Sequence, residues 1–279
     1  MLNLLERLCS ASGVSGFEAQ VAELIIDEIK EYADDVFFDK LGSLIAFKKG
    51  KKRAEKKVLY AAHMDEVGLV VNFIEENGLL RFDAIGISPL ALPAKHVFVG
   101  EKRIKGVIAS KPVHLLKTEE KNKSLKIEEL YIDIGAENKE QAGRSVSLFD
   151  YAVFDSSFLL QGDMIKAKAL DDRIGCALLC ELIKSDLEYD AYFAFTVGEE
   201  LGARGAGAVT NLIKPDLAVV VECTTAGDID GVPDAEKVCI VGNGAVVPFM
   251  DGGTAYDKEL YQFTIDLAQQ NNIKCQTKT

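Results

Sequence analysis

The chain has 279 residues, is 48% hydrophobic, and carries 44 Asp and Glu against 32 Lys and Arg for a formal charge of −12. That length suggests about two domains with ample apolar content for a large core, and the acidic surplus argues against nonspecific binding to nucleic acid or to anionic membranes. No stretch approaches the roughly 18 to 20 apolar residues that span a bilayer. Met1 to Leu8 has neither a basic leader nor a long apolar region, and the six cysteines are scattered without a CxxC pair, so a reduced, cytoplasmic globular protein is expected.

Helical spacing is predicted over Leu2 to Leu8 and again over Phe17 to Tyr32, where Val21, Leu24, Ile25 and Ile29 follow the 3.6-residue period, with a turn at Ser12 to Gly16 between them. Val36 to Lys48 reads as a hairpin around Leu41-Gly42. Lys57 to Ala62 has the unbroken apolar character of a strand covered on both faces, and it delivers His63.

From Gly68 to Ser156 the texture changes to short β-like runs broken by glycines: Leu69 to Phe73, Leu80 to Phe82, His96 to Val99, Arg103 to Ile108 and Leu130 to Ile134. This predicts an inserted, mostly antiparallel β domain with its own small core and a charged loop at Lys117 to Lys126. Alternation of helix and strand then resumes. Met164 to Leu170 reads as a strand giving way to a helix over Asp171 to Ile183, followed by a strand Ala191 to Val197, a helix Ala203 to Ile213, a strand Leu217 to Val221 and a helix Asp257 to Gln270. The rhythm indicates an α/β fold with a mixed or parallel sheet flanked by helices. Residues 1–66 and 161–279 would form the catalytic domain and residues 67–160 the insertion.

Four outcrops of acidic or imidazole groups follow apolar runs: His63-Met64-Asp65, Asp171-Asp172, Glu199-Glu200 and Glu222. His63 and Asp65 are separated by one residue, so both can emerge on one side of an extended segment, and a carboxylate on the other ring nitrogen fixes the tautomer of a metal-binding imidazole. Of Asp171-Asp172, one carboxylate can cap the following helix while the other, Asp171 by its position, points into a cleft where it can bridge two cations. Adjacent acids such as Glu199 and Glu200 can divide their work, one binding metal while its neighbour takes a proton from an activated water and returns it to a leaving amine. Glu222 ends the run Leu217 to Val221, where an unpaired carboxylate is costly. Singly, each group has an ordinary alternative as a cap, a dipole partner or a salt bridge. Together they point to a two-metal hydrolase site assembled where strand ends converge. Cys176 and Cys180 share a helix face but read as small buried hydrophobes. Asp228, Asp230 and Asp234 do not follow the ligand order of a calcium loop.

The blocks Ala61 to Gly68, Lys168 to Gly175, Thr196 to Gly202 and Glu222 to Asp228, supported by Ser12 to Glu18, Lys111 to Leu115 and Ile132 to Ala136, resemble the signature blocks of the tetrahedral di-metal aminopeptidases. That group includes glutamyl, leucyl and deblocking aminopeptidases, some once labelled cellulases. The resemblance implies a mixed sheet flanked by helices with an inserted small β-barrel-like domain, and a metal-dependent aminopeptidase acting on the N-terminal peptide bond of unblocked peptides through a metal-activated water. By it, His63, Asp171 and Glu222 would hold one metal, and Asp171 would bridge to a second that Glu200 also binds. Glu199 would be the general base and Asp65 would orient His63. Zinc or cobalt would be the ions, and the insertion would drive homo-oligomer assembly.

The pattern also departs from the family. Its second metal is completed by a histidine in a Gly-rich block near the C-terminus, whereas here no histidine follows His114, and His96 and His114 fall in the insertion. A truncated form with an incomplete second site is therefore expected. A catalytically silent paralogue serving as an assembly or peptide-binding subunit is the alternative. A retaining glycosidase would need two acids about 5 to 5.5 Å apart and no His-Asp pair.

Overall fold

The computed structural model describes residues 1–112 and 124–278, so His114 and most of the expected charged loop at 117–126 lie outside the described residues. Helices α1 (Leu2–Ser10) and α2 (Ala19–Ile29) place their apolar positions on one face each: Leu4, Leu5, Leu8 and Cys9 in the first, Val21, Ala22, Ile25 and Ile29 in the second, all buried. The turn between them matches the one expected at Ser12 to Gly16. The hairpin also forms, β1 (Asp35–Phe38) pairing antiparallel with β2 (Leu44–Lys48) around Gly42. β3 (Val58–His63) follows.

β2 and β3 share a neighbour, β12 (Ala191–Thr196), which runs antiparallel to β2 and parallel to β3, while β13 (Leu217–Val220) pairs parallel with β3 on its other side. The resulting mixed sheet has the order β1-β2-β12-β3-β13. Strand alternation then sorts side chains to two faces. Leu44, Ala46, Ala62, Phe193 and Phe195 face α1, α2 and the helix α4 (Leu170–Lys184), which adds Cys176, Ala177, Leu179, Cys180 and Ile183 to the same core. Ile45, Leu59 and Ala194 face the other way and pack with Val209 and Ile213 of α5 (Arg204–Ile213).

Between β3 and β12 the chain builds a closed antiparallel barrel from β4 (Gly68–Ile74), β5 (Leu80–Ile85), β6 (His96–Val99), β7 (Ile104–Ser110), β8 (Leu130–Asp133) and β9 (Tyr151–Phe154), in the order β4-β5-β8-β7-β6-β9. Its core, separate from the first, contains Leu69, Val71, Leu80, Phe82, Val97, Val99, Ile108, Leu130, Ile132 and Ala152. A short helix α3 (Lys139–Gly143), capped by Asn138, precedes β9. Closure removes the free edges that an open sheet of this size would expose.

Two expectations change. Met164 to Leu170 is not a strand of the main sheet: only β11 (Met164–Lys166) is extended, and it forms a two-stranded hairpin with β10 (Leu159–Gln161). The run was too short and too exposed to compete for a place between buried strands, since Leu159, Leu160 and Met164 are all more than half exposed. The apolar run Leu217 to Val221, which reads as a buried strand, is among the described residues the edge strand β13, with Val220 62% exposed. Its unbroken apolar composition reads identically in either position.

The chain divides into two compact units, Met1–Cys223 and Thr224–Thr279, a boundary that falls inside the expected second part of the catalytic domain. In the second unit β14 (Ala245–Pro248) pairs parallel with β15 (Cys275–Lys278), and helix α6 (Lys258–Gln270) is capped by the Asp257 carboxylate, which accepts from Leu260 N at 2.9 Å. No helix among the described residues is long and apolar enough to cross a membrane.

Candidate metal centre

Parallel pairing puts strand C-termini side by side, and here the register aligns Thr196 with His63 and Val220 with Ala61. Glu199-Glu200 and Glu222, each a few residues beyond its strand, therefore arrive on either side of His63. Asp171 comes from a different device. Ala169 takes a left-handed conformation (φ 53°), Asp171 and Asp172 are non-helical, and regular helix starts only at Arg173, so the irregular entry to α4 turns Asp171 towards the strand ends.

His63 Nε2 lies 3.0 Å from Asp171 Oδ1 and 3.5 Å from Glu222 Oε1. One ligand atom from each of the three residues falls within 4.8 Å of the others. Asp171, Asp172 and Cys223 form a second such group, and Glu199 and Glu200 belong to neither among the described residues. His63 is 3% exposed, Asp171 and Glu222 more open at 59% and 41%. The histidine thus anchors the site from the interior while the two carboxylates line its solvent side.

Asp65 is fully buried and sits 3.4 Å from His63 Nδ1, long for a hydrogen bond. Its stronger contacts run elsewhere. Oδ1 accepts from Glu199 N at 3.0 Å, and Oδ2 accepts from Glu200 N at 3.1 Å and from the Ser15 hydroxyl at 2.6 Å. Burial works against its charge, but His63, Ser15 and the two amides together hold the carboxyl below the usual range. Asp172 is also buried, which pushes its carboxyl up to about 8, and its Oδ1 accepts from Gly175 N at 3.1 Å as a cap for α4. Burial likewise raises Glu199, and raises Glu200 to about 7. Glu200 lies against Gly86, at the end of the barrel strand β5, where an added Cβ would sit 2.4 Å from Oε2.

A divalent ion fits the chemistry of this donor set. Burial alone would keep the His63 imidazole neutral, yet Asp171, Asp65 and Glu222 around it drive its pKa up to about 12, so the cluster demands a positive charge at its centre. One imidazole and two carboxylates supply nitrogen and oxygen ligands of the kind that bind zinc, cobalt or manganese.

Three charged groups without an expected role surround this shell. Glu66 is buried and accepts from Lys168 Nζ at 2.7 Å and from Gly13 N at 3.0 Å, with the Arg173 guanidinium 3.4 Å away. Lys168 Nζ also donates to Ala11 O at 2.6 Å, and Arg173 Nη1 to Leu8 O at 2.6 Å. This cluster ties the N-terminal segment to both metal-bearing stretches. In sequence its only sign is the placement of Glu66 and Arg173 directly beside the acidic outcrops, with Lys168 three residues before Asp171.

An α/β sheet with imidazole and carboxylate ligands at its strand ends, and a β-barrel inserted after the histidine-bearing strand, defines the class of metal-dependent exopeptidases. The sequence pattern of the M42 glutamyl aminopeptidase family matches residues 42–279, and the chain belongs to that family. It is 33% identical over 285 residues to a lysyl aminopeptidase of Pyrococcus furiosus, covering 99% of this chain and 80% of that protein. A TET aminopeptidase from a marine sediment Thaumarchaeota archaeon superposes with a TM-score of 0.93 at 35% identity, covering 99% of this chain and 80% of that one. The Pyrococcus horikoshii TET1 peptidase, which can assemble into a tetrahedron or a large octahedral shell, gives 0.85 at 35% identity over 99% of this chain and 83% of its own.

Proposed function

We propose that the chain removes N-terminal residues from unblocked peptides with divalent ions, zinc or cobalt, at this centre. His63, Asp171 and Glu222 would hold one ion, and Asp171 with Glu200 would contribute to a second. The convergence of the three ligand atoms within 4.8 Å carries the reading. A divalent ion bound there lowers the pKa of water and polarises the scissile carbonyl.

The chain's own residues supply the rest. Glu199, raised by burial and not taken up in the ligand cluster, removes a proton from the attacking water and returns it to the leaving amine nitrogen. Asp65 holds the Glu199-Glu200 backbone through both carboxylate oxygens and stands 3.4 Å from His63 Nδ1, placed to orient the ring. The exposed edges of Asp171 and Glu222 leave room for a peptide to approach. Only two clusters of three ligands form among the described residues, and Glu200 joins neither, which fits a second ion held less tightly than the first. The barrel supplies the surface for homo-oligomer assembly, and six cysteines with no disulfide among the described residues suit a reducing cytoplasm.

The test is hydrolysis of free and N-acetylated peptides by the purified chain after loading with Zn2+ or Co2+, alongside metal analysis. Release of the first residue from free peptides alone, abolished by chelation and by E199Q, is the expected result. One equivalent of metal with no amide hydrolysis would instead identify a silent assembly subunit, and cleavage indifferent to chelation would exclude the site described here.

A further inference from the structure

We propose that Ser15 is a positioning residue for the metal centre, acting through Asp65 on the turn that carries Glu199 and Glu200. The inference rests on the metal reading of the site and adds to it a residue with no contact to the ions.

The turn after β12 is held on its carbonyl side, where Val197 O, Gly198 O and Glu199 O accept from Gly205 N, Arg204 N and Gly202 N, but the amides of Glu199 and Glu200 have no backbone partner. Gly198 adopts φ 63°, and the next two amides leave the sheet with no strand partner. Asp65 accepts both of them, Glu199 N on Oδ1 and Glu200 N on Oδ2, at 3.0 and 3.1 Å. Oδ2 is therefore the atom that sets where the Glu200 backbone sits. Its other donor is the Ser15 hydroxyl at 2.6 Å, the shortest contact that Asp65 makes. Ser15 and Asp65 are buried, so water does not replace that donor.

Ser15 is itself held in register. Val14 and Glu66 form an isolated parallel bridge, Glu66 N donates to Gly13 O at 2.9 Å, and Gly13 N donates to Glu66 Oε1 at 3.0 Å. The segment from Gly13 to Ser15 runs alongside Asp65 and Glu66 as if it were a short extra strand. Three residues on, the buried Glu18 carboxylate accepts from Gly16 N at 2.8 Å, and the backbone N–H of Gly198 acts on it as well. The 12–18 turn thus reaches the acidic turn at two carboxylates, Asp65 and Glu18, and Ser15 is the hydroxyl that locks the first.

Losing that hydroxyl leaves Oδ2 with one donor and frees Asp65 to rotate towards His63 Nδ1, which now lies at 3.4 Å. Outer residues that orient metal ligands in this way typically account for about 10 to 100-fold in metal affinity. Titration of the metal-free protein with Co2+, read by calorimetry and by the visible Co2+ absorption, should show S15A binding about 10 to 100-fold more weakly with an altered spectrum, S15T close to wild type, and S15C between them. S15A or, should it fail to fold, S15C matching wild type in both affinity and spectrum would overturn the inference. Wild-type protein that binds no Co2+ would instead overturn the reading of the metal centre itself.

Discussion

At Gly86 the missing side chain makes space for Glu200. An added Cβ would meet Oε2 at 2.4 Å and Val67 Cγ1 at 2.7 Å, and the φ of 68° is one that side chains resist. G86A should cost about 1 to 2 kcal/mol from the left-handed backbone and also displace Glu200. G135A is the control, because Gly135 has φ 76° and nothing within 4 Å. Both variants should lose stability in thermal unfolding, G86A the more because its Cβ also meets Val67, while only G86A should lose metal-dependent activity. Equal activity in the two would separate Glu200 from the chemistry. Thiols make a second residue-scale contrast. Burial pushes Cys9 up to about 11 and Cys180 to about 12, whereas Cys275 is half-buried. A thiol with a pKa near 11 is only about 0.1% thiolate at pH 8, and thiolate is the reactive form. Iodoacetamide at that pH should label Cys275 well before Cys9 or Cys180, read by peptide mass spectrometry.

At the scale of elements, the sheet's period-2 sorting divides the apolar side chains between two faces. Phe193 and Phe195 point into the core with α1, α2 and α4, and Ala194 points to α5. F195A should destabilise by about 3 to 5 kcal/mol, as deletion of a buried aromatic ring does, measurable as a lower urea midpoint. In the sequence β3 and β12 are legible as unbroken apolar runs, β2 as one arm of a hairpin, and most of the barrel strands as short β-like runs broken by glycines. Several elements are not, α3, β9, β10, β14 and β15 among them. β9 is four residues, Tyr151 to Phe154, with three consecutive buried positions and no alternation to mark it, so the strand that closes the barrel between β4 and β6 went unrecognised. Met164 to Leu170 looked like a buried strand because apolar composition does not reveal which partner a short run will find. Its hairpin, with an irregular entry to α4, aims Asp171 at His63 without any strand end.

For the molecule as a whole, the buried Glu66 with Lys168 and Arg173 is the fastening between the N-terminal turn, β3 and α4. Breaking such a buried pair by removing one partner typically costs about 3 to 5 kcal/mol, since it strands the remaining charge. K168M should lower the unfolding temperature far more than K139M, whose partner Glu76 is on the surface. The acidic cluster acts in the opposite sense until cations join it. An ion present at a hundred times its dissociation constant stabilises the native state by about 2.7 kcal/mol. Chelation should therefore lower the unfolding temperature, and H63A should abolish that dependence on metal. A chain whose unfolding is the same with and without Co2+ would contradict the centre.

The sequence by itself determined the class of fold, the positions of its long elements and the set of groups able to bind a cation, because periodicity, burial preference and ligand chemistry are local properties of a chain. Only the tertiary structure decided which of those groups meet. Parallel register places Glu222 beside His63 at a separation of 159 residues in a strand order no local pattern encodes. It also decided that Asp65 spends its strongest contacts on the Glu199-Glu200 turn and on Ser15, since a carboxylate's partners are whichever donors the packed backbone brings within about 3 Å.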